Sequence, residues 1–162
     1  MKTLYLFRHA KSSWDDPALD DFERPLNERG ERSAPLMGKV MSERKVKPDV
    51  VICSPAERTR QTAKLALKPA EIELEVLFDD RVYLSSEKQL REILSELSDK
   101  VNEALLIGHN PGMENLQGVL TGRFEHFPTA ALARVLLDIK SWKDLQKGIG
   151  RLDWLAKPRD FE

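Results

Sequence analysis

The chain has 162 residues, 41% of them apolar, with 26 Lys and Arg against 27 Asp and Glu. That length suits one domain over residues 1–162 with one substantial core, and the balanced charge gives no global electrostatic reason to expect nucleic acid or an anionic membrane as a partner. No apolar run approaches the roughly 20 residues needed to span a bilayer, and the amino terminus reads as a strand without a signal-peptide cleavage site, so a cytoplasmic protein is expected. The single cysteine, Cys53, rules out an intrachain disulfide and a metal site built on Cys pairs.

Apolar runs near 3–8, 50–53, 75–78 and 104–108 alternate with stretches of helical period, the signature of βα units around a mostly parallel sheet. The pattern predicts a three-layer α/β/α sandwich. The first run ends in Arg8-His9-Ala10. Met37, Val40 and Met41 follow at helical spacing, with Pro35 placing the helix start near Ser33 or kinking the helix there. The second run delivers Cys53-Ser54-Pro55-Ala56-Glu57-Arg58, read as Ser54 at an N-cap, Pro55 at the first helical position and Glu57 three residues after the cap. In that register Arg58 lies in the first turn, beside unpaired backbone N–H groups and the positive end of the helix dipole. Over 85–99, Ser86 can cap a helix whose stripe is Leu90, Ile93, Leu94 and Leu97. The fourth run ends in Gly108-His109, with Asn110 placed to cap and Pro111 to open another helix. Ala131–Asp138 and Gly150–Leu155 read as two last strands that complete the sheet, with hairpin pairing open to them. No internal repeat or flexible linker marks a second domain.

Two of the three histidines thus stand where strands stop. Carboxyl ends of strands in an α/β sheet converge on one crevice, so Arg8, His9, Arg58 and His109 are expected as neighbours. Two guanidiniums, two imidazoles and a helix amino terminus describe a small anion pocket, and a phosphoryl group uses them best: Arg matches its oxygens, and a neutral imidazole can attack phosphorus. Nearby Arg charges disfavour protonation of His9 and keep it nucleophilic, which leaves His109 to donate to an equatorial oxygen.

Arg8-His9-Ala10 resembles the Arg-His-Gly signature of the histidine phosphatase superfamily, also called phosphoglycerate mutase-like, with Ala10 in place of the commoner Gly. The similarity continues through Ser54-Pro55-x-x-Arg58-x-x-Gln61-Thr62-Ala63 and Gly108-His109, and covers nearly the whole chain. Asp21-x-x-Arg24-Pro25-Leu26-Asn27-x-x-Gly30 is similar to the short SixA-like protein-histidine phosphatases. The resemblance implies that His9 becomes phosphohistidine, that Arg8, Arg58 and His109 form the phosphate pocket, and that Arg24 approaches its rim. Larger relatives roof this pocket with inserted segments for which 162 residues leave little material. An open cleft is therefore expected, suited to a phosphorylated protein such as a phosphotransfer domain. For the general acid, mutase-like members place a Glu three residues before a Tyr, and Asp80-Arg81-Val82-Tyr83 offers Asp80 there, with Asp79 as runner-up.

Blander roles compete for several of these residues. Ser54 is read as a cap, Asp80 also suits a surface ion pair, Arg24 could anchor the Asp20-Asp21 loop, and His126 reads as solvated or as a loop hydrogen-bond partner. Lys11, Ser12 and Ser13 could donate to phosphate or simply form a loop. Of three tryptophans taken as packing residues, Trp14 is expected to border the cleft. A cysteine phosphatase needs Arg six positions beyond its Cys, and Thr59 stands there instead, so Cys53 reads as a buried strand residue. No Gly-x-x-x-x-Gly-Lys-Ser/Thr loop occurs, and nothing calls for a metal or cofactor. The expected function is hydrolysis of protein phosphohistidine through a covalent intermediate on His9. The alternatives are a small-molecule phosphomonoesterase on the same site and a non-catalytic module that binds phosphorylated ligands. The sequence assigns no oligomeric state.

Overall fold

Six strands form one mixed sheet in the computed structural model, which describes residues 1–162. They are β1 (Lys2–Arg8), β2 (Val50–Cys53), β3 (Val76–Phe78), β4 (Glu103–Gly108), β5 (Leu132–Leu137) and β6 (Gly150–Ala156). Their spatial order is β3-β2-β4-β1-β5-β6; the first four run parallel, while β5 and β6 are antiparallel to their neighbours and pair with each other. The helices are α1 (Glu28–Glu43), α2 (Glu57–Leu67), α3 (Glu87–Ser95) and α4 (Gly112–Thr121).

The central strand β1 is apolar on both faces because both are covered. Leu4 and Leu6 pack with Leu90, Ile93 and Leu94 of α3 and Met113, Leu116 and Leu120 of α4. Tyr5 and Phe7 pack into the opposite layer with Ala34, Met37 and Met41 of α1 and Ala63 and Ala66 of α2. Side chains of a strand alternate between faces, so one run supplies two cores, and burying each such side chain contributes about 1.5–3 kcal/mol. The expected α/β/α sandwich is therefore the observed one.

Three expected boundaries move. Helix α1 starts at Glu28, where the Asn27 side chain accepts from the Gly30 N–H at 2.9 Å, and it carries Pro35 in its interior. The buried face formed by Ala34, Met37, Val40 and Met41 outweighs what the proline costs. Helix α2 begins at Glu57 behind an Ala56 cap, so Ser54 and Pro55 lie in the turn before it. Helix α4 begins at Gly112 behind Pro111, and Asn110 Oδ1 still accepts from the Glu114 N–H at 3.2 Å. By contrast, Ser86 caps α3 as expected, accepting from the Gln89 N–H at 3.2 Å.

The topology places a crevice at one point. Helix α1 leaves β1 to one side of the sheet and α4 leaves the adjacent β4 to the other, so their carboxyl ends flank a switch point where ligands bind in open α/β sheets. His9 and His109 are the first residues beyond those two strands.

Candidate active site

Backbone bonds fix the strand ends before any side chain acts. The His9 N–H donates to Gly108 O at 3.1 Å, the Ser54 N–H donates to Ile107 O at 3.1 Å, and the His9 carbonyl accepts from Ala130 N–H at 2.9 Å. Ala130 makes that bond in the left-handed region, at φ 62°, a conformation that costs a non-glycine residue roughly 1 kcal/mol. The strain sits beside the residue it anchors.

The turns leaving the strands are pinned by the very residues that make the sequence pattern recognisable. The Ala10 N–H donates to Thr62 Oγ1 at 3.0 Å, and the Leu26 N–H donates to Gln61 Oε1 at 2.8 Å. Helix α2 therefore clamps both ends of the long loop between β1 and α1. At Gly30 a Cβ atom would stand 2.1 Å from the Lys11 carbonyl oxygen, so only glycine lets α1 press on the segment that follows His9.

Around these strand ends lies an open pocket of about 230 Å³. Arg8, His9, Lys11, Ser12, Trp14, Arg24, Arg58, Leu84, His109, Asn110 and Thr129 line it. Four of these side chains are cationic and none is a carboxylate. The His9 and His109 rings are 5.2 Å apart between centroids, and the Tyr83 ring meets His109 edge-on at 5.4 Å. His9, Arg24, Arg58 and His109 are all buried.

His9 Nδ1 lies 2.7 Å from the Ala10 carbonyl oxygen, which can only accept, so the proton is on Nδ1 and the lone pair is on Nε2. Burial, and then the charges of Arg8, Arg58 and Arg24, push the pKa of His9 down to about 4. Sequence reasoning identified the guanidiniums as the cause; desolvation is the larger one. His109 is pushed lower still, to about 3, by burial first and then by His9 and Arg58. Its Nε2 is 2.8 Å from Ser54 Oγ. Ser54 Oγ accepts from the Ala56 N–H at 3.3 Å, so its own proton is free for His109 Nε2, and in that tautomer Nδ1 carries a hydrogen. Ser54, read as a helix cap, thus orients an imidazole instead.

Two buried side-chain atoms lack a hydrogen-bond partner, and both belong to this pocket: Arg8 Nε and His109 Nδ1. A buried donor without a partner costs roughly 1–3 kcal/mol, which an anion placed between them would recover. Arg8 is oriented by Nη1 donating to the Phe127 carbonyl at 2.9 Å.

Asp21 is the residue that sequence reasoning missed. Its carboxylate accepts from Arg58 Nη2 at 3.0 Å, Arg24 Nη1 at 2.9 Å and Tyr83 Oη at 2.5 Å, and its carbonyl accepts from Arg58 Nη1 at 2.7 Å. Burial raises its pKa, but the hydrogen bonds from Tyr83, Arg58 and Arg24 overcome that and hold it at about 2. Arg24 is also bonded to Ser12 Oγ and the Ser13 carbonyl, with its guanidinium 3.3 Å above the centre of the Trp14 ring. It therefore both anchors the loop and lines the pocket.

Other expected residues lie elsewhere. Asp80 is exposed at the start of a 3-10 turn, Asp80–Val82, and does not line the pocket. Asp79 caps that turn, pairs with Arg81 at 2.7 Å and does not line the pocket either, so its carboxylate is committed to Arg81. The carboxylate that bonds to pocket residues is Asp21, which holds Arg24 and Arg58 without lining the pocket itself. His126 is exposed, with Nδ1 3.2 Å from Glu114 Oε1. Cys53 is buried, and burial raises its thiol to about 12, so it is no nucleophile.

An α/β sheet that gathers two neutral imidazoles and three guanidiniums at its switch point defines an enzyme for phosphoryl chemistry. Residues 4–126 match the profile of the histidine phosphatase superfamily (branch 1), and the chain belongs to that family. Its activity is that of a phosphatase. An uncharacterized protein of Mycobacterium tuberculosis, Rv1276c, is 32% identical over 94% of this chain and 99% of its own. An uncharacterized chloroplastic protein of Arabidopsis thaliana, At3g52155, is 30% identical over 88% and 70%. Among solved structures, the SixA-type protein of Agrobacterium tumefaciens, which carries the name phosphohistidine phosphatase, superposes with a TM-score of 0.84 at 27% identity, over 97% of this chain and 98% of its own. The protein histidine phosphatase SixA solved with tungstate gives 0.85 at 24% identity, over 99% of both chains, and shares the fold.

Proposed function

We propose that this chain hydrolyses phosphohistidine carried by another protein, through a phosphohistidine formed on its own His9. The observation that carries the reading is the uncovered pocket and its frame. Trp14 is 74% exposed and Leu84 55% exposed at the pocket wall, while Phe22, 41% exposed, packs edge-on against Tyr83. Large apolar side chains left in water around a charged pocket suit a macromolecular surface, because a small ester would need them closed over it. Resemblance to SixA supports the same substrate class.

In the first step the His9 Nε2 lone pair attacks phosphorus while the bond from phosphorus to the substrate imidazole breaks. The substrate ring, protonated on its other nitrogen, departs neutral, and the new phosphohistidine keeps its Nδ1–H on the Ala10 carbonyl. This exchange is symmetric in protons and needs no carboxylic acid, which fits a pocket without one. Arg8, Arg58 and Arg24 spread the charge of the transferred group, and His109 donates through Nδ1–H. Water then attacks phosphorus, the Nε2–P bond breaks and its electron pair returns to Nε2, both water protons leave on the phosphate as H2PO4−, and neutral His9 with its Nδ1–H is restored.

The test is a comparison of kcat/KM for a phosphohistidine-bearing phosphotransfer domain and for small phosphate esters. At least a tenfold advantage for the protein is expected. An advantage for an ester would instead make the chain a small-molecule phosphomonoesterase on the same site.

A further inference from the structure

Beside the catalytic pocket lies a second depression of about 220 Å³ that shares one wall with it, Thr129. Arg29, Lys157 and Arg159 line it together with His126 and Ser33, and no Asp or Glu does. None of those three cations has an ion-pair partner, although the chain contains about as many acidic as basic residues. The acidic groups nearby are committed or to one side. Glu114 accepts from His126 and the Phe127 N–H, Asp160 takes the Lys157 backbone N–H at 3.0 Å, and Glu162 lines a neighbouring depression with Arg29 without pairing with it.

Sequence distance makes the grouping informative. Arg29 comes from the first turn of α1, His126 and Thr129 from the segment between α4 and β5, and Lys157 and Arg159 from the turn after β6. Two separate parts of the chain, the start of α1 and the turn after β6, bring three cations together and leave them without ion-pair partners, which costs mutual repulsion that a bound anion relieves. Arg29 and Arg159 are exposed on long side chains. This arrangement reaches for several carboxylates on a passing surface and builds no dry cage for one tetrahedral ion.

We infer that this depression is a docking site for acidic side chains flanking the phosphohistidine of the protein substrate, with Thr129 marking where the acidic segment passes into the catalytic pocket. The inference rests on the proposed substrate class. It places recognition of the partner on Arg29, Lys157 and Arg159, outside the groups that touch the phosphoryl group.

The experiment uses two phosphohistidine peptides that differ only in their flanks, one rich in Asp and Glu, the other in Ser and Gln. The proteins are the wild type, an Arg29→Glu/Lys157→Glu/Arg159→Glu variant and a milder Arg29→Gln/Arg159→Gln variant. The wild type should favour the acidic peptide by about tenfold in kcat/KM at low salt, and the preference should shrink as salt is added. Both variants should lose most of that preference, yet turn over the neutral peptide and p-nitrophenyl phosphate at the wild-type rate. A wild type indifferent to the flanks, or variants that keep the preference, would overturn the inference. A parallel arm follows binding of the unphosphorylated acidic peptide by fluorescence anisotropy, with inorganic phosphate saturating the catalytic pocket. If p-nitrophenyl phosphate is hydrolysed and neither peptide is, the proposed substrate class falls, and the binding arm alone decides. Binding at least tenfold tighter to wild type than to the charge-reversed variant keeps the acidic docking site, and equal binding removes it.

Discussion

His9 and His109 stand at the ends of adjacent strands with their backbones tied across the sheet, whereas Asp21, Arg24 and Trp14 belong to the loop between β1 and α1 and are held largely by side-chain contacts. The strand ends are buried and their imidazoles are neutral; much of the loop is exposed, and its carboxylate is fully charged. The contrast separates two tasks. Bond making needs groups fixed to a fraction of an ångström by a rigid layer, and recognition of a partner needs surface that can be reached.

Breaking the rigid part should cost most. His9→Ala is expected to lower turnover at least about a thousandfold, on the scale of removing an active-site nucleophile, while phosphate binding is partly kept because the guanidiniums remain. Arg58→Ala should cost about 3 kcal/mol, a few hundredfold in kcat, since one charged contact to the transition state is lost; a near-normal rate would move the phosphate site elsewhere.

A pH profile probes the same burial. His9 is held at about 4, so its ring stays neutral well below the ordinary imidazole range, and under the proposed mechanism activity should fall only as pH drops through about 4. At pH 5 the neutral fraction is then about thirtyfold larger than for an unperturbed imidazole, and an acid limb centred near 6.5 in kcat/KM would contradict the burial argument.

The loop side should respond more gently. Asp21→Asn removes the negative charge and one of the two side-chain oxygens that align Arg24 and Arg58, and about a tenfold fall in kcat/KM is expected, visible with both protein and ester substrates. Trp14→Ala should raise KM a few-fold for the protein substrate alone. Asp80→Asn should leave kinetics within twofold, because that carboxylate does not line the pocket.

The strand ends were legible in the sequence because an apolar run followed by a polar, catalytically capable residue states both its burial and its stop. β1 and β4, with Arg8, His9 and His109 at their ends, are read that way, and the stripe of α3 is equally plain. Asp21 was not legible as a site residue. Its bond to Arg58 spans 37 positions and depends on how a loop folds back, which no local spacing encodes. The start of α1 was obscured by Pro35, since the rule that proline breaks helices takes no account of the buried face that holds this one together. Ser54 was obscured by having a cap's composition; only β4, alongside β2, shows that its hydroxyl faces His109.

The central claim is that His9 carries the phosphoryl group, and rapid quenching with labelled phosphohistidine protein tests it most directly. The account predicts phosphate that is acid-labile and stable to base, located on the peptide containing His9 and lost in His9→Ala. Label on His109 or His126, or steady turnover by His9→Ala, would contradict it.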